Sequence, residues 1–138
     1  VEIMIGLGLA AQQLSRPDGV IEYFEAALDF ARAPKGASAG LIRRFRPSIY
    51  VSLGDAYFQK RDLDRAESYL RKAMIIDRKH PLTPDLRYSL FGTFVEIFLD
   101  RGDERAASRY MPTLEAITKN FPPVRRHFAD LASRLNAK

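Results

Sequence analysis

Apolar residues along the 138-residue chain fall into blocks of helical spacing, and the blocks repeat at two fixed offsets, 46 and 87 residues. Shifted by these amounts, Ile3 meets Ile49 and Leu90, Leu7 meets Leu53 and Phe94, Gly8 meets Gly54 and Val95, and Ala11 meets Tyr57 and Phe98. The register survives a polar break in each block. Beyond it Val20, Ala66 and Ala107 coincide, as do Tyr23, Tyr69 and Tyr110, then Phe24, Leu70 and Met111, then Ala27, Ala73 and Leu114. Self-similarity at a fixed period marks a supersecondary unit that buries its apolar face only by stacking on neighbours.

Inside the second unit Tyr50, Leu53, Ala56 and Tyr57 lie three and four apart and so share one helix face. Ala66, Tyr69, Leu70, Ala73 and Ile76 do the same for a second helix. The polar stretch "QKRDLD" separates them, and "DRGDER" takes its place in the third unit, with Gly102 as the expected left-handed terminator. Each unit is therefore a helix-turn-helix hairpin. After the third, Pro122 and Pro123 restart the pattern, and Val124, Phe128, Leu131 and Leu135 form the stripe of a last helix. That helix either covers the flank of the last hairpin or opens another repeat.

The stretch "YVSLGDAYFQKRDLDRAESYLRKAMII" (50–76) resembles the tetratricopeptide repeat in its leading aromatic, its Leu-Gly pair, its Tyr and its spaced alanines. "GLAAQQLSRPDGVIEYFEAALDF" (8–30) follows the same pattern, while the third unit departs from it with Val95 and Leu114 at places of small residues. The resemblance implies an all-α, TPR-like α-solenoid of three helical hairpins plus a C-terminal helix, about seven helices in one domain. The repeats fall at about 1–34, 47–80 and 88–121, with the last helix over 123–136. The offsets exceed the family length of about 34 residues by about 12 and 7, and the surplus sits at "KGASAGLIRRFR" (35–46) and "PLTPDLR" (81–87). Thr83 and Pro84 suit a cap and first turn, so the third unit opens on a lengthened helix. Between the first two units a long helix from about Ser38, kinked at Pro47, is favoured over a loop. Pro112 predicts a kink or a late start in the third unit's second helix.

One competing pattern opens the chain. Val1 to Ile5 followed by Gly6-Leu7-Gly8-Leu9-Ala10-Ala11 spells G-x-G-x-x-A, the turn between strand and helix that holds a dinucleotide pyrophosphate. Its context fails, because "VIEYFEAALDF" has helical periodicity and no later stretch supplies the strands of a parallel sheet. Gly8 and Gly54 are better placed to admit a neighbouring helix.

Composition adds bounds. Hydrophobic residues make up 46% and charged residues 28%, an ordinary globular balance, and no run approaches the roughly 18 apolar residues of a membrane span. Without cysteine there are no disulfides or thiolate chemistry in these residues. His80 and His127 stand without an acid or second histidine at metal-binding spacing and read as surface residues. No serine elbow or set-apart carboxylate pair occurs. The sequence thus calls for no enzyme activity, no cofactor and no metal. The chain begins on Val rather than Met in mid-pattern and reads as a piece of a longer protein; compartment stays open, with the cytoplasm slightly favoured.

The net charge of +5 gathers in the middle third, where residues 35–80 hold eleven bases against five acids. Arg43, Arg44 and Arg46, with Phe45 between them and Arg71, Lys72, Arg78 and Lys79 as possible neighbours, offer an alternative surface for nucleic acid or an acidic partner; the blander reading is a solvated face. Tyr23, Tyr69 and Tyr110 read as core rather than as a binding stripe.

The resemblance further implies that first helices line a groove for a peptide segment or partner helix. By register its lining residues are Ile5, Leu9 and Gln12, then Val51, Asp55 and Phe58, then Gly92, Glu96 and Leu99. The Lys, Arg and Asn with which chaperone-binding members of the family clamp a terminal carboxylate are missing from these positions. The expected ligand instead offers bulky apolar side chains and a Lys or Arg for Asp55 and Glu96. Self-association by end-to-end stacking is a further alternative.

Overall fold

The computed structural model describes residues 1–31 and 37–136, and turns each block of the pattern into helices. In chain order these are α1 (Glu2–Gln13), α2 (Pro17–Ala31), α3 (Ala37–Gln59), α4 (Leu63–Lys79), α5 (Pro84–Asp100), α6 (Glu104–Asn120), a 3-10 turn (Pro122–Val124) and α7 (Arg125–Asn136). Among the described residues there is no strand, and Val1 to Ile5 enters α1, so the dinucleotide turn has no sheet to stand on. Lys35 and Gly36, the start of the first expected insertion, lie outside the described residues; the rest of it extends α3. The second insertion falls in the α4–α5 connection and lengthens α5, as the Thr83-Pro84 pair predicts. Thr83 holds the N-cap position there, but its hydroxyl makes no capping bond.

The turns inside the hairpins are built alike. Ser15, Arg61 and Gly102 occupy equivalent places in the repeat, and all three have positive φ, at 53°, 65° and 77°. Around each, the helix end is closed by the same pair of bonds. The residue after the left-handed one donates to a carbonyl five back (Arg16 N to Ala11 O, 2.9 Å; Asp62 N to Tyr57 O, 2.9 Å; Asp103 N to Phe98 O, 2.8 Å). These satisfy carbonyls that the helix would otherwise leave without donors. The next helix is then started by an aspartate in two of the three. Asp62 Oδ1 accepts from the Arg65 N–H at 3.2 Å and Asp103 Oδ1 from the Ala106 N–H at 3.1 Å.

The described chain divides into two compact units, Val1–Ala73 and Met74–Lys138. In the first, α2 packs on α1 and α3, and the Leu63–Ala73 part of α4 packs on α3. Phe24, Ala27, Ile42, Ile49, Leu53, Ala66 and Leu70 form its buried centre. The glycines mark the tightest places. A Cβ on Gly8 would sit 2.5 Å from Phe24 Cδ1, and one on Gly54 would sit 2.5 Å from Leu70 Cδ2 and 2.6 Å from its Cγ. Both reach into buried side chains, so the close-packing reading of these glycines holds.

In the second unit α5 packs on α6, and α7 covers both. Leu90, Phe94, Val95, Ile97, Ala107, Leu114 and Leu131 are buried there, while Phe128 is half-buried. Tyr110 lies among Phe91, Phe94 and Phe98 at 5.6 to 6.1 Å between ring centres. Tyr69 stacks on Tyr57 at 5.8 Å in the first unit, so both tyrosines pack as expected while staying half-buried. The expected late start of α6 does not occur. α6 begins at Glu104 and continues through Pro112, because Ala107 on one side of the proline and Leu114 and Ile117 on the other are buried. α3 likewise continues through Pro47.

Ile3 and Leu7 depart from their places in the repeat, since their counterparts Ile49 and Leu90, and Leu53 and Phe94, are buried. Leu53 and Phe94 are fully buried, but Leu7 is 42% exposed and lies on α1 with Ile3 (76%) and Leu14 (65%) as an outward apolar stripe. α1 meets α2 through Ile5, Gly8 and Ala11 instead.

Two glycine substitutions separate close approach from helix propensity. Gly54→Ala is expected to lower stability by about 1–2 kcal/mol, since overpacking against buried Leu70 outweighs the gain in propensity. Gly6→Ala, where a Cβ meets nothing within 4 Å, is expected to raise stability by about 0.5–1 kcal/mol. Urea denaturation of the two variants beside the parent chain measures both.

Candidate functional site

In the first unit the register-derived residues separate into core and surface. Ile5 (4% exposed) and Val51 (2%) are core, because they sit where α1 and α3 face their neighbours, and they are not available to a ligand. Leu9 and Gln12 are exposed on α1, and Asp55 and Phe58 are half-buried on α3. The Ser52 hydroxyl donates to Gln12 Oε1 at 3.0 Å and so ties the two helices together. Leu9 is one turn from Gln12 and Asp55 one turn from Ser52, which brings these four side chains to one side of α1 and α3. The Arg61 guanidinium lies 5.4 Å from the centre of the Phe58 ring, a cation–π contact at its edge.

The second unit treats its share differently. Gly92 is buried beneath Tyr88 and His127: a Cβ there would lie 3.4 Å from Tyr88 Cε1 and 3.8 Å from His127 Cε1. Glu96 is half-buried, with its Oε1 2.6 Å from His127 Nε2, and Leu99 is half-buried further along α5. On the other side of the same ring, His127 Nδ1 is 2.7 Å from the Tyr88 hydroxyl. A carboxylate only accepts, so Nε2 carries a proton and donates to Glu96; on the neutral ring Nδ1 then accepts from Tyr88. His127 is 44% exposed, as its reading as a surface residue expects, and it is also a strut that holds α7 on α5. Its partners are 31 and 39 residues away, beyond any local spacing signal. Arg134 adds a second link, to Asp100 at 2.9 Å.

The basic cluster is divided by the α3 helix. Arg43 and Arg44 are exposed, with the Arg44 guanidinium 5.7 Å from the Phe45 ring centre. Arg46 turns to the other side, into a cleft of about 210 Å³ that it lines with Tyr50, Tyr69 and Lys72. Of the bases named as possible neighbours, Lys72 is the one that shares this cleft. Nearby, the Tyr57 hydroxyl donates to Glu25. Burial and that bond push Tyr57 up to about 12, and burial with the negative charge of Glu25 raises Tyr69.

Among the described residues no group of three His, Asp or Glu side chains is arranged to hold a metal, and no helix is long and apolar enough to cross a membrane.

The helix pairing, the glycine contacts and the shared turn geometry meet in the second hairpin. There, the family model described as tetratricopeptide repeat matches residues 47–80. Residues 47–80 are thus similar to a tetratricopeptide repeat. The all-α, TPR-like hairpins on either side of it carry the same turn at the same register. No curated protein and no solved structure matches the chain. Tetratricopeptide repeats generally mediate protein–protein interactions and are typically non-catalytic.

The strut in the second unit has a pH signature. Burial, and next the charge of Glu96, push the Tyr88 phenol from its usual 10 up to about 12. The folded chain keeps this proton after the unfolded chain has lost it, so stability is fully present below pH 10 and is lost as pH rises from 10 through about 12. The loss is on the order of 2 kcal/mol for Tyr88, and Tyr57 contributes with the same sign. Urea midpoints between pH 8 and 12 are expected to fall less steeply in Tyr88→Phe than in the parent chain.

Proposed function

We propose that the chain is a non-catalytic protein-interaction scaffold that binds a peptide segment or partner helix on the face formed by α1 and α3. What supports the reading is the Ser52–Gln12 bond between α3 and α1, with Leu9 one turn from Gln12, Asp55 one turn from Ser52 and Phe58 one turn further along α3, in a segment that matches the tetratricopeptide repeat, whose family serves this purpose. Leu9 and Phe58 offer apolar area to bury, and the half-buried Asp55 carboxylate favours a lysine or arginine in the ligand. The corresponding stretch of the second unit, Gly92, Glu96 and Leu99, enters the reading through Glu96, whose carboxylate is shared with His127.

The test is an array of synthetic peptides combining bulky apolar residues with Lys or Arg, followed by titration of the best binder. Asp55→Ala is expected to weaken binding about 5- to 10-fold, and the Asp55→Ala/Glu96→Ala pair at least as much. Affinities that do not move in either variant would remove this face as the binding surface.

A second reading, self-association, has its own support in the outward stripe of Ile3, Leu7 and Leu14 on α1. Exposed side chains of this size in a row are uncommon on a monomer. Sedimentation velocity across a hundredfold concentration range would then reveal a mass that rises with concentration in the parent chain and stays at the monomer in Leu7→Glu/Leu14→Glu. A constant monomer mass in the parent chain would end this reading.

A further inference from the structure

The apolar stripe on α1 is spaced as a seam. Ile3, Leu7, Ala10 and Leu14 are all exposed, and the intervals between them, four, three and four, are those of the a and d positions of a coiled coil. On a regular helix the four fall within about 60° of one another and opposite Gln12, so the seam is separate from the α1–α3 face. One repeat later the same positions are covered. Ile49 and Leu53, the counterparts of Ile3 and Leu7, are buried on α3, which packs on α2. Beside the uncovered seam a hollow of about 600 Å³ opens between α1 and α2, walled by Leu7, Ala10 and Leu14 from one helix and Tyr23 from the other.

The occupant has to bring an apolar stripe of its own. Among the described residues the large apolar side chains left exposed are Ile3, Leu7, Leu9 and Leu14 in the α1 region, with Phe30 on α2 and Ile75 on α4 each standing alone. None lies on α5, α6 or α7, so stacking end to end offers α1 no apolar counterpart. The stripe that matches α1 is α1. Laid antiparallel, Ile3 meets Leu14 of the partner subunit and Leu7 meets Ala10 of the partner subunit, so a large side chain faces a small one at the centre and enters the hollow beside it. Charge fixes the direction. Residues 3–15 carry no charged side chain, with exposed Glu2 before them and exposed Arg16 after. The antiparallel pair sets Glu2 beside Arg16 of the partner subunit at both ends and opposes the two helix dipoles, whereas a parallel pair sets like against like. Arg16 shares the hollow with Asp18, which Lys60 holds, and with Glu22, so these charges choose the orientation more than the strength.

We infer that α1 is a dimerisation helix, which pairs antiparallel with α1 of a second copy of this chain through Ile3, Leu7, Ala10 and Leu14. The inference rests on the self-association reading of the same stripe and adds its geometry. The same patch on both subunits closes about a two-fold axis, so assembly stops at the dimer instead of growing into a stack. The α1–α3 face lies on the other side of α1 and stays open in each subunit.

Two measurements on the whole chain test it. Sedimentation velocity of the parent chain up to about 1 mM, a range set by the small size of the interface, is expected to show a mass that rises and levels off at twice the monomer. The chain has no cysteine, so introduced ones report alone. In the antiparallel pair Ile3 adjoins Leu14 of the partner subunit, whereas like residues stand about 16 Å apart along the helix, beyond the reach of a disulfide. Ile3→Cys chain mixed with ¹⁵N-labelled Leu14→Cys chain in a glutathione redox buffer is therefore expected to give the mixed disulfide about tenfold over either like pair, as read by mass spectrometry, and to lose that preference in urea. A mass fixed at the monomer overturns the inference together with self-association. A dimer whose disulfides join like residues or show no preference, or a mass that climbs past the dimer, overturns the inference and leaves self-association standing.

Discussion

Everything in the first unit depends on how closely its paired helices approach. At Gly8 and at Gly54 the absence of a single methyl group lets Phe24 and Leu70 reach the backbone of the opposing helix. That approach brings α1 against α2 and α3 against α4, and it leaves the remaining faces of α3 for α1 and α2. Core side chains at near-crystalline density cannot absorb an extra group without moving. The pairing therefore sets where every exposed residue of the unit comes to lie, including those of the proposed recognition surface.

Hairpin pairing was legible in the sequence because it is written in residues whose size has one reading. Gly8, Gly54 and the three tyrosines at a common register identify the helix contacts, and the polar breaks locate the turns. Gly102 also announces its own left-handed conformation, whereas Ser15 and Arg61, in the same conformation, carry no compositional mark. What remained hidden was the sidedness of α3. This helix buries Ile42, Ile49, Val51 and Leu53, which do not lie on one face, so periodicity could not tell which arginine turns inward. Arg43, Arg44 and Arg46 therefore read as one patch in the sequence and are two surfaces in the fold. The spacing of four between Arg46 and Tyr50 was the available signal.

Register alone also placed Ile5 and Val51 in a groove, whereas packing draws these β-branched residues into the core. The distinction rests on which residues of a first helix touch its own partner and which touch the neighbouring hairpin, and that depends on crossing geometry. The role of His127 as a link between helices escaped for a related reason. Its value comes from Tyr88 and Glu96, which lie one above the other two turns apart on α5, and no pattern within α7 points to them.

The equal span between contact partners has a kinetic meaning. Gly8 and Phe24 stand sixteen residues apart in the chain, and so do Gly54 and Leu70. Closing a loop of that length costs little entropy, and contacts of such short range accompany fast folding. Each pair of helices can meet soon after its turn emerges from the ribosome, without waiting for residues still to be made.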